Sequence, residues 1–267
     1  MSVLTAADRV PADAVLLDVR WQLGRTDGHE QYLAGHLPGA VFVDLERELA
    51  AHGSPAEGRH PLPSLQALQS AARRWGLEDG SRVVVYDATG GLAAARAWWL
   101  LRWGGLAGVT ILDGGLGAWA GPLETGEVTP EPGGVTLTGG GMPVLTADQA
   151  AALADGDGVL LDARAGERYR GEVEPVDPRA GHVPGAISAP TSGNLTDGRF
   201  GAAAVLSERF AALGVQPGTT VGVYCGSGVT AAHEIAALAE AGIEAALWPG
   251  SWSQWSADPD RPVATGP

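Results

Sequence analysis

Val221-Gly222-Val223-Tyr224-Cys225-Gly226-Ser227-Gly228-Val229-Thr230 is the stretch on which the reading of this chain turns. The short apolar run reads as a buried strand. Glycines at 226 and 228 give a loop suited to positive φ or to a close backbone approach. The alanine-rich run from Ala231 to Leu238 then reads as a helix. A strand, a tight turn and a helix in this order aim several backbone N–H groups at one atom. Those groups and the positive end of the helix favour an anion there. Cys225, the only cysteine of the 267 residues, stands at that point. A lone cysteine is ordinarily a small buried hydrophobe. The paired glycines favour the other reading, an exposed nucleophile held as its thiolate.

The rest of the chain is written twice. Leu16-Leu17-Asp18-Val19-Arg20 returns as Leu160-Leu161-Asp162-Ala163-Arg164, and Ala34-Gly35-His36-Leu37-Pro38-Gly39-Ala40 as Ala180-Gly181-His182-Val183-Pro184-Gly185-Ala186. Val83-Val84-Val85-Tyr86-Asp87 pairs with the strand that ends in Cys225, and Leu112 to Trp119 with Trp248 to Trp255. The four offsets, 144, 146, 138 and 136, drift little and keep their order, which marks a duplicated domain. The expected division is a first domain over 1–124, a Gly- and Pro-rich linker over 125–143 and a second domain over 144–267. In each copy Val/Leu-rich runs alternate with alanine-rich helical patterns. The expected class is therefore α/β, a mainly parallel sheet flanked by helices. Sites in such sheets lie at the carboxyl ends of strands, where Asp87 and Cys225 both fall. A carboxylate cannot act as a soft nucleophile, so the first copy reads as silent.

Bulk properties exclude several partners. A formal net charge of −14 argues against nucleic acid and against anionic membrane surfaces. No run of about 18 apolar residues suggests a membrane span, and the first residues lack the pattern of a signal peptide. One cysteine allows no internal disulfide, which fits a reducing, cytoplasmic setting. Six scattered histidines offer no metal-ligand spacing, and no cofactor is expected. Histidines 36 and 182 recur in both copies, the silent one included, which favours a structural role. The same holds for Asp18, Arg20, Asp162 and Arg164. His233 reads as packing, and Trp98, Trp99 and Trp103 as core at helical spacing.

Taken together, the paired Leu-Asp-x-Arg strands, both Gly-His-x-Pro-Gly-Ala segments, Gly58-Arg59-His60-Pro61-Leu62-Pro63 and Pro249-Gly250-Ser251-Trp252 resemble the tandem-domain rhodanese sulfurtransferases. The resemblance implies two rhodanese-like α/β domains with the active site in the second. Cys225-Gly226-Ser227-Gly228-Val229-Thr230 looks like the 3-mercaptopyruvate branch. Thiosulfate enzymes of the family carry Arg and Lys after the cysteine, and a dianion wants such cations. Positions 226 to 231 are uncharged here.

The resemblance implies that Cys225 takes sulfur as a persulfide, with the amides of Gly226, Gly228, Val229 and Thr230 holding its charge. Arg168 is expected to clamp the donor's carboxylate, with Arg179 as the second clamp and Arg170 a weaker candidate. Ser227, His60 and Asp44 form an expected proton relay, and Trp252 is expected near the pocket. Implied partners are a small-molecule sulfur donor and a thiol acceptor such as thioredoxin or glutathione. Two alternatives within the enzyme class are a thiosulfate sulfurtransferase and a cysteine phosphatase. The phosphatase loop needs an arginine where this chain has Ala231. A third is a non-catalytic persulfide carrier.

Overall fold

The computed structural model describes residues 2–267, and its contacts divide the chain into two units. The first comprises Met1–Ala51 and Leu62–Met142; the second comprises His52–Pro61 and Pro143–Pro267. Ten residues of the first half, His52–Pro61, thus pack with the second unit.

In the first unit the strands are β1 (Leu4–Thr5), β2 (Val15–Asp18), β3 (Val41–Phe42), β4 (Val83–Tyr86) and β5 (Val109–Leu112). They stand in the order β1-β5-β4-β2-β3, and every neighbouring pair is parallel. The central strand, β4, is buried along its whole length, as an unbroken Val-Val-Val-Tyr run requires in a sheet covered on both faces. The helices are α1 (Gly28–Ala34), α2 (Leu45–Glu48), α3 (Leu65–Arg74) and α4 (Ala94–Trp103). Ser64 caps α3, its hydroxyl accepting from the Ala67 amide at 3.1 Å. Helix α4 buries eight of its ten residues, Trp98 and Trp99 among them, and so has almost no polar face. Residues 125–142, expected as a linker, lie along this unit. Val135 and Leu137 are buried, and the Val135 amide donates to the Leu77 carbonyl at 3.0 Å.

The second unit repeats the plan with β6 (Val159–Asp162), β7 (Ile187–Ser188), β8 (Leu195–Thr196), β9 (Arg199–Phe200), β10 (Val221–Tyr224) and β11 (Ala246–Leu247). The parallel sheet runs β11-β10-β6-β7, while β8 and β9 form a separate antiparallel pair. Val144 adds an isolated parallel bridge to Leu247. The helices are α5 (Ala147–Asp155), α6 (Gly166–Tyr169), α7 (Ala203–Ala212), α8 (Val229–Glu240) and α9 (Ser251–Ala257). Thr146 and Gln149 close a capping box on α5. Trp248, Trp252 and Trp255 pack in one buried cluster with Leu160, Val183 and Tyr224.

Both units use the same internal fastenings. Asp18 takes the Arg20 fork at 3.0 Å on each oxygen, and Arg20 also donates to the Gly35 carbonyl at 2.6 Å. Asp162 holds Arg164 in the same way, and Arg164 reaches the Gly181 carbonyl at 2.7 Å. His36 bonds the Tyr32 carbonyl at 2.9 Å and stacks on that ring. His182 repeats this with Tyr169 at 2.8 Å. The duplicated histidines and Asp-Arg pairs therefore tie each domain's helix and loop to its sheet, as the repeats suggested. His233 packs on Phe200 and shares a 2.6 Å hydrogen bond with Thr191.

Candidate active site

The loop after β10 is shaped by close backbone packing. Gly228 has φ +79°, and a β-carbon there would lie 2.7 Å from the Pro249 carbonyl oxygen. The Cys225 and Gly226 carbonyls accept from the amides of Trp252 (3.0 Å) and Ser253 (2.9 Å), and the Cys225 amide donates to the Ser251 hydroxyl at 3.2 Å. Helix α9 is thereby strapped beneath the loop. The Gly228 amide donates to the Cys225 sulfur at 3.1 Å. Val229 and Thr230 open α8, whose first amides have no partner within the helix itself. The sulfur thus lies at the carboxyl end of an inner strand and at a helix N-terminus.

The equivalent loop in the first unit reveals what such a loop binds. The Asp87 carboxylate is buried and accepts four backbone N–H groups. One oxygen takes Thr89 (2.7 Å) and Gly91 (2.9 Å); the other takes Ala93 (2.8 Å) and Ala94 (3.0 Å). This is an anion hole filled by the chain's own carboxylate.

Around Cys225 the residues gather as follows. Ser227 shares a 2.7 Å hydrogen bond with His60 Nδ1, and both are buried. His60 reaches the loop because His52–Pro61 packs with this unit. The neighbouring Arg59 amide donates to the Ser253 hydroxyl at 3.1 Å. A β-carbon on Gly226 would lie 3.1 Å from an Arg59 nitrogen and 3.5 Å from one of Arg168, so both guanidinium groups lie over the loop. Asp177 joins them. One of its oxygens pairs with Arg59 and the other accepts from Arg168 at 3.2 Å. Arg168 also donates to Glu174 at 2.7 Å, and Glu174 lies 3.5 Å from Arg164. Burial works against ionisation of Glu174, but the Asp177 amide and Arg168 outweigh it and hold its carboxyl below the usual range. Asp177 goes the other way: burial pushes its carboxyl up, against the pull of Arg59.

Several sequence expectations change here. The thiol expected to be exposed is covered, Cys225 being 2% exposed. Arg179 is not at the loop's mouth. Its three guanidinium nitrogens donate to carbonyls near the end of α9: Ser256 at 2.9 Å, Arg261 and Trp255 at 2.8 Å, and Asp258. Arg179 is a fastening for α9, and Arg59 is the second arginine brought to Gly226. Arg179→Lys, which loses the planar fork, should cost about 1–2 kcal/mol in urea unfolding while moving the KM for donor less than about twofold. Arg170 pairs with Glu172 on the surface. Asp44 lies in the first unit and caps α2, accepting from the amides of Glu46 (3.0 Å) and Arg47 (3.2 Å). Trp252 is fully buried beneath the loop, and Arg164 lies over its ring. Arg59, Glu174 and Asp177 escaped the sequence reading. The signal for Arg59 was the Gly58-Arg59-His60 run, and that for Glu174 and Asp177 the charged segment that ends in Arg179.

Among the described residues no cluster of three or more His, Cys, Asp or Glu could hold a metal, and no helix is long and apolar enough to cross a membrane.

Comparison with known proteins agrees with this architecture. The model of the rhodanese-like domain matches residues 4–122 and 146–258. The putative thiosulfate sulfurtransferase SseB of Mycobacterium tuberculosis is 53% identical over 260 residues, covering 94% of this chain and 90% of the relative. The probable 3-mercaptopyruvate sulfurtransferase of Pseudomonas aeruginosa is 47% identical, covering 95% and 93%. Among solved structures, SseA from Escherichia coli, a 3-mercaptopyruvate sulfotransferase, superposes with a TM-score of 0.84 at 32% identity. That match covers 94% of this chain and 99% of SseA.

Proposed function

Because the chain belongs to the rhodanese-like family, we propose that it is a sulfurtransferase taking sulfur from 3-mercaptopyruvate through a persulfide on Cys225. The observation that carries this reading is the Cys225 sulfur set against the Gly228 amide at a helix N-terminus. The active domain is the second, over 144–267, completed by His60 from the segment 52–61. The first domain, over 1–124, is silent because Asp87 fills its anion hole.

The Cys225 thiolate attacks the donor's sulfur. The carbon–sulfur bond breaks, and its electron pair goes to the methylene carbon as an enolate. The proton formerly on the donor's thiol passes to that carbon, and pyruvate leaves. The persulfide anion rests against the amides of Gly226, Gly228, Val229 and Thr230. An acceptor thiol then attacks the outer sulfur; it leaves as the acceptor's persulfide and the Cys225 thiolate returns. Thioredoxin or glutathione would serve, as would cyanide, which becomes thiocyanate. With acceptors of this kind, the proposed setting is the reducing cytoplasm.

Arg168 and Arg59 orient the donor's carboxylate. Ser227 and His60 carry the proton between sulfur and carbon, a role their 2.7 Å contact supports. Ser227→Ala should lower kcat about a hundredfold with little change in KM, as for loss of a positioned proton carrier. Equal losses in kcat and affinity would remove Ser227 from the relay.

Two relatives are named for different donors, thiosulfate and 3-mercaptopyruvate. Loop residues 226 to 231 carry no cation, which disfavours the dianion. Steady-state rates with both donors test the choice: a kcat/KM higher for thiosulfate overturns it.

A further inference from the structure

Three arginines and three carboxylates meet beside the Cys225 loop: Arg59, Arg164 and Arg168 with Asp162, Glu174 and Asp177. A pair of arginines that only had to bind an anionic substrate would gain from standing uncompensated. Here Asp177 bridges the two of them that lie over Gly226, one carboxylate oxygen to each, and its side chain is 3% exposed. Glu174 backs the bridge and is fixed in turn by the amides of Val176 (3.1 Å) and Asp177 (3.0 Å). Each guanidinium also keeps a buried Nε–H with no acceptor among the described residues. A buried donor without a partner is costly unless a ligand supplies the acceptor. The arginines thus present one edge to Asp177 and hold another in reserve.

We infer that Asp177 is the specificity-determining residue of this site: by bridging Arg59 and Arg168 it cancels part of their charge, so that the clamp accepts a monoanionic carboxylate and turns away a dianion. The inference rests on the sulfurtransferase reading and explains how an arginine pair can avoid thiosulfate. A carboxylate that bonds the free guanidinium edges recovers its hydrogen bonds and meets a site of little net charge. A second negative charge meets Asp177 and Glu174 at close range in a poorly solvated place. Burial raises the Asp177 carboxyl and the neighbouring Glu174 charge adds to that, against the pull of Arg59 and Arg168.

The test is Asp177→Asn, which keeps the shape and removes the charge, beside Asp177→Glu, which keeps the charge. Calorimetry with sulfate and with pyruvate reads charge selectivity without turnover. Asp177→Asn should raise the sulfate-to-pyruvate affinity ratio about tenfold, whereas Asp177→Glu should stay within about twofold of the native ratio. In steady state, Asp177→Asn should lower KM for thiosulfate more than for 3-mercaptopyruvate. An unchanged ratio in Asp177→Asn, or equal shifts in both variants, overturns the inference. If Asp177→Asn does not fold, Glu174→Gln removes a charge from the same cluster. It should move the ratio the same way, and no movement counts against the inference. A native protein that takes no sulfur onto Cys225 from either donor refutes the sulfurtransferase reading instead, while the affinity ratios still decide the role of Asp177.

Discussion

Cys225→Ser loses turnover with any sulfur donor by at least about 10⁴-fold, as for removal of a covalent nucleophile. A serine hydroxyl is close in size to the thiol and can still accept from the Gly228 amide, which lies 3.1 Å from the sulfur. The loop should therefore keep its form, and the unfolding midpoint should move little. What is lost is chemical. Oxygen at neutral pH is neither ionised nor soft, and it cannot store a second sulfur atom. The measurement is donor-dependent sulfur transfer to cyanide or a thiol, run beside urea unfolding. A variant that keeps even a hundredth of the native rate would place the nucleophile elsewhere.

The second large effect concerns stability. Asp87→Ala removes the acceptor of four backbone N–H groups at a single stroke. An unsatisfied buried donor costs about 1–3 kcal/mol. Water can reach the partly buried Thr89 end, so the expected loss is about 3–5 kcal/mol. Asp87→Asn should fall between, because its remaining oxygen still serves two of the amides. Urea unfolding of the full chain measures this. A loss below about 1 kcal/mol would mean that the loop relaxes freely and that its amides were never held in place.

The repeats made the architecture legible. Four of the five strands of the first sheet, β2 to β5, had a twin some 140 residues later, so a single pattern was read twice with the same result. The Cys225 loop was legible for a local reason, since its glycines and helix start are neighbours in sequence. Arg179 misled because its partners lie 76 to 82 residues away, at the far end of α9, where nothing in its own neighbourhood announces them. Arg59 was missed for the same cause. It meets Asp177 across 118 residues and Ser253 across 194. The residues expected as linker pack because two apolar side chains, Val135 and Leu137, punctuate the Gly- and Pro-rich run.

The most direct measurement is intact-mass and peptide mass spectrometry after the native protein is mixed with 3-mercaptopyruvate and no acceptor. Cys225 should gain the mass of one sulfur atom, pyruvate should appear in equal amount, and a thiol acceptor should then strip the added mass. Pyruvate released over many turnovers while Cys225 never carries sulfur, or a Cys225→Ser protein that releases it equally fast, would contradict the persulfide mechanism.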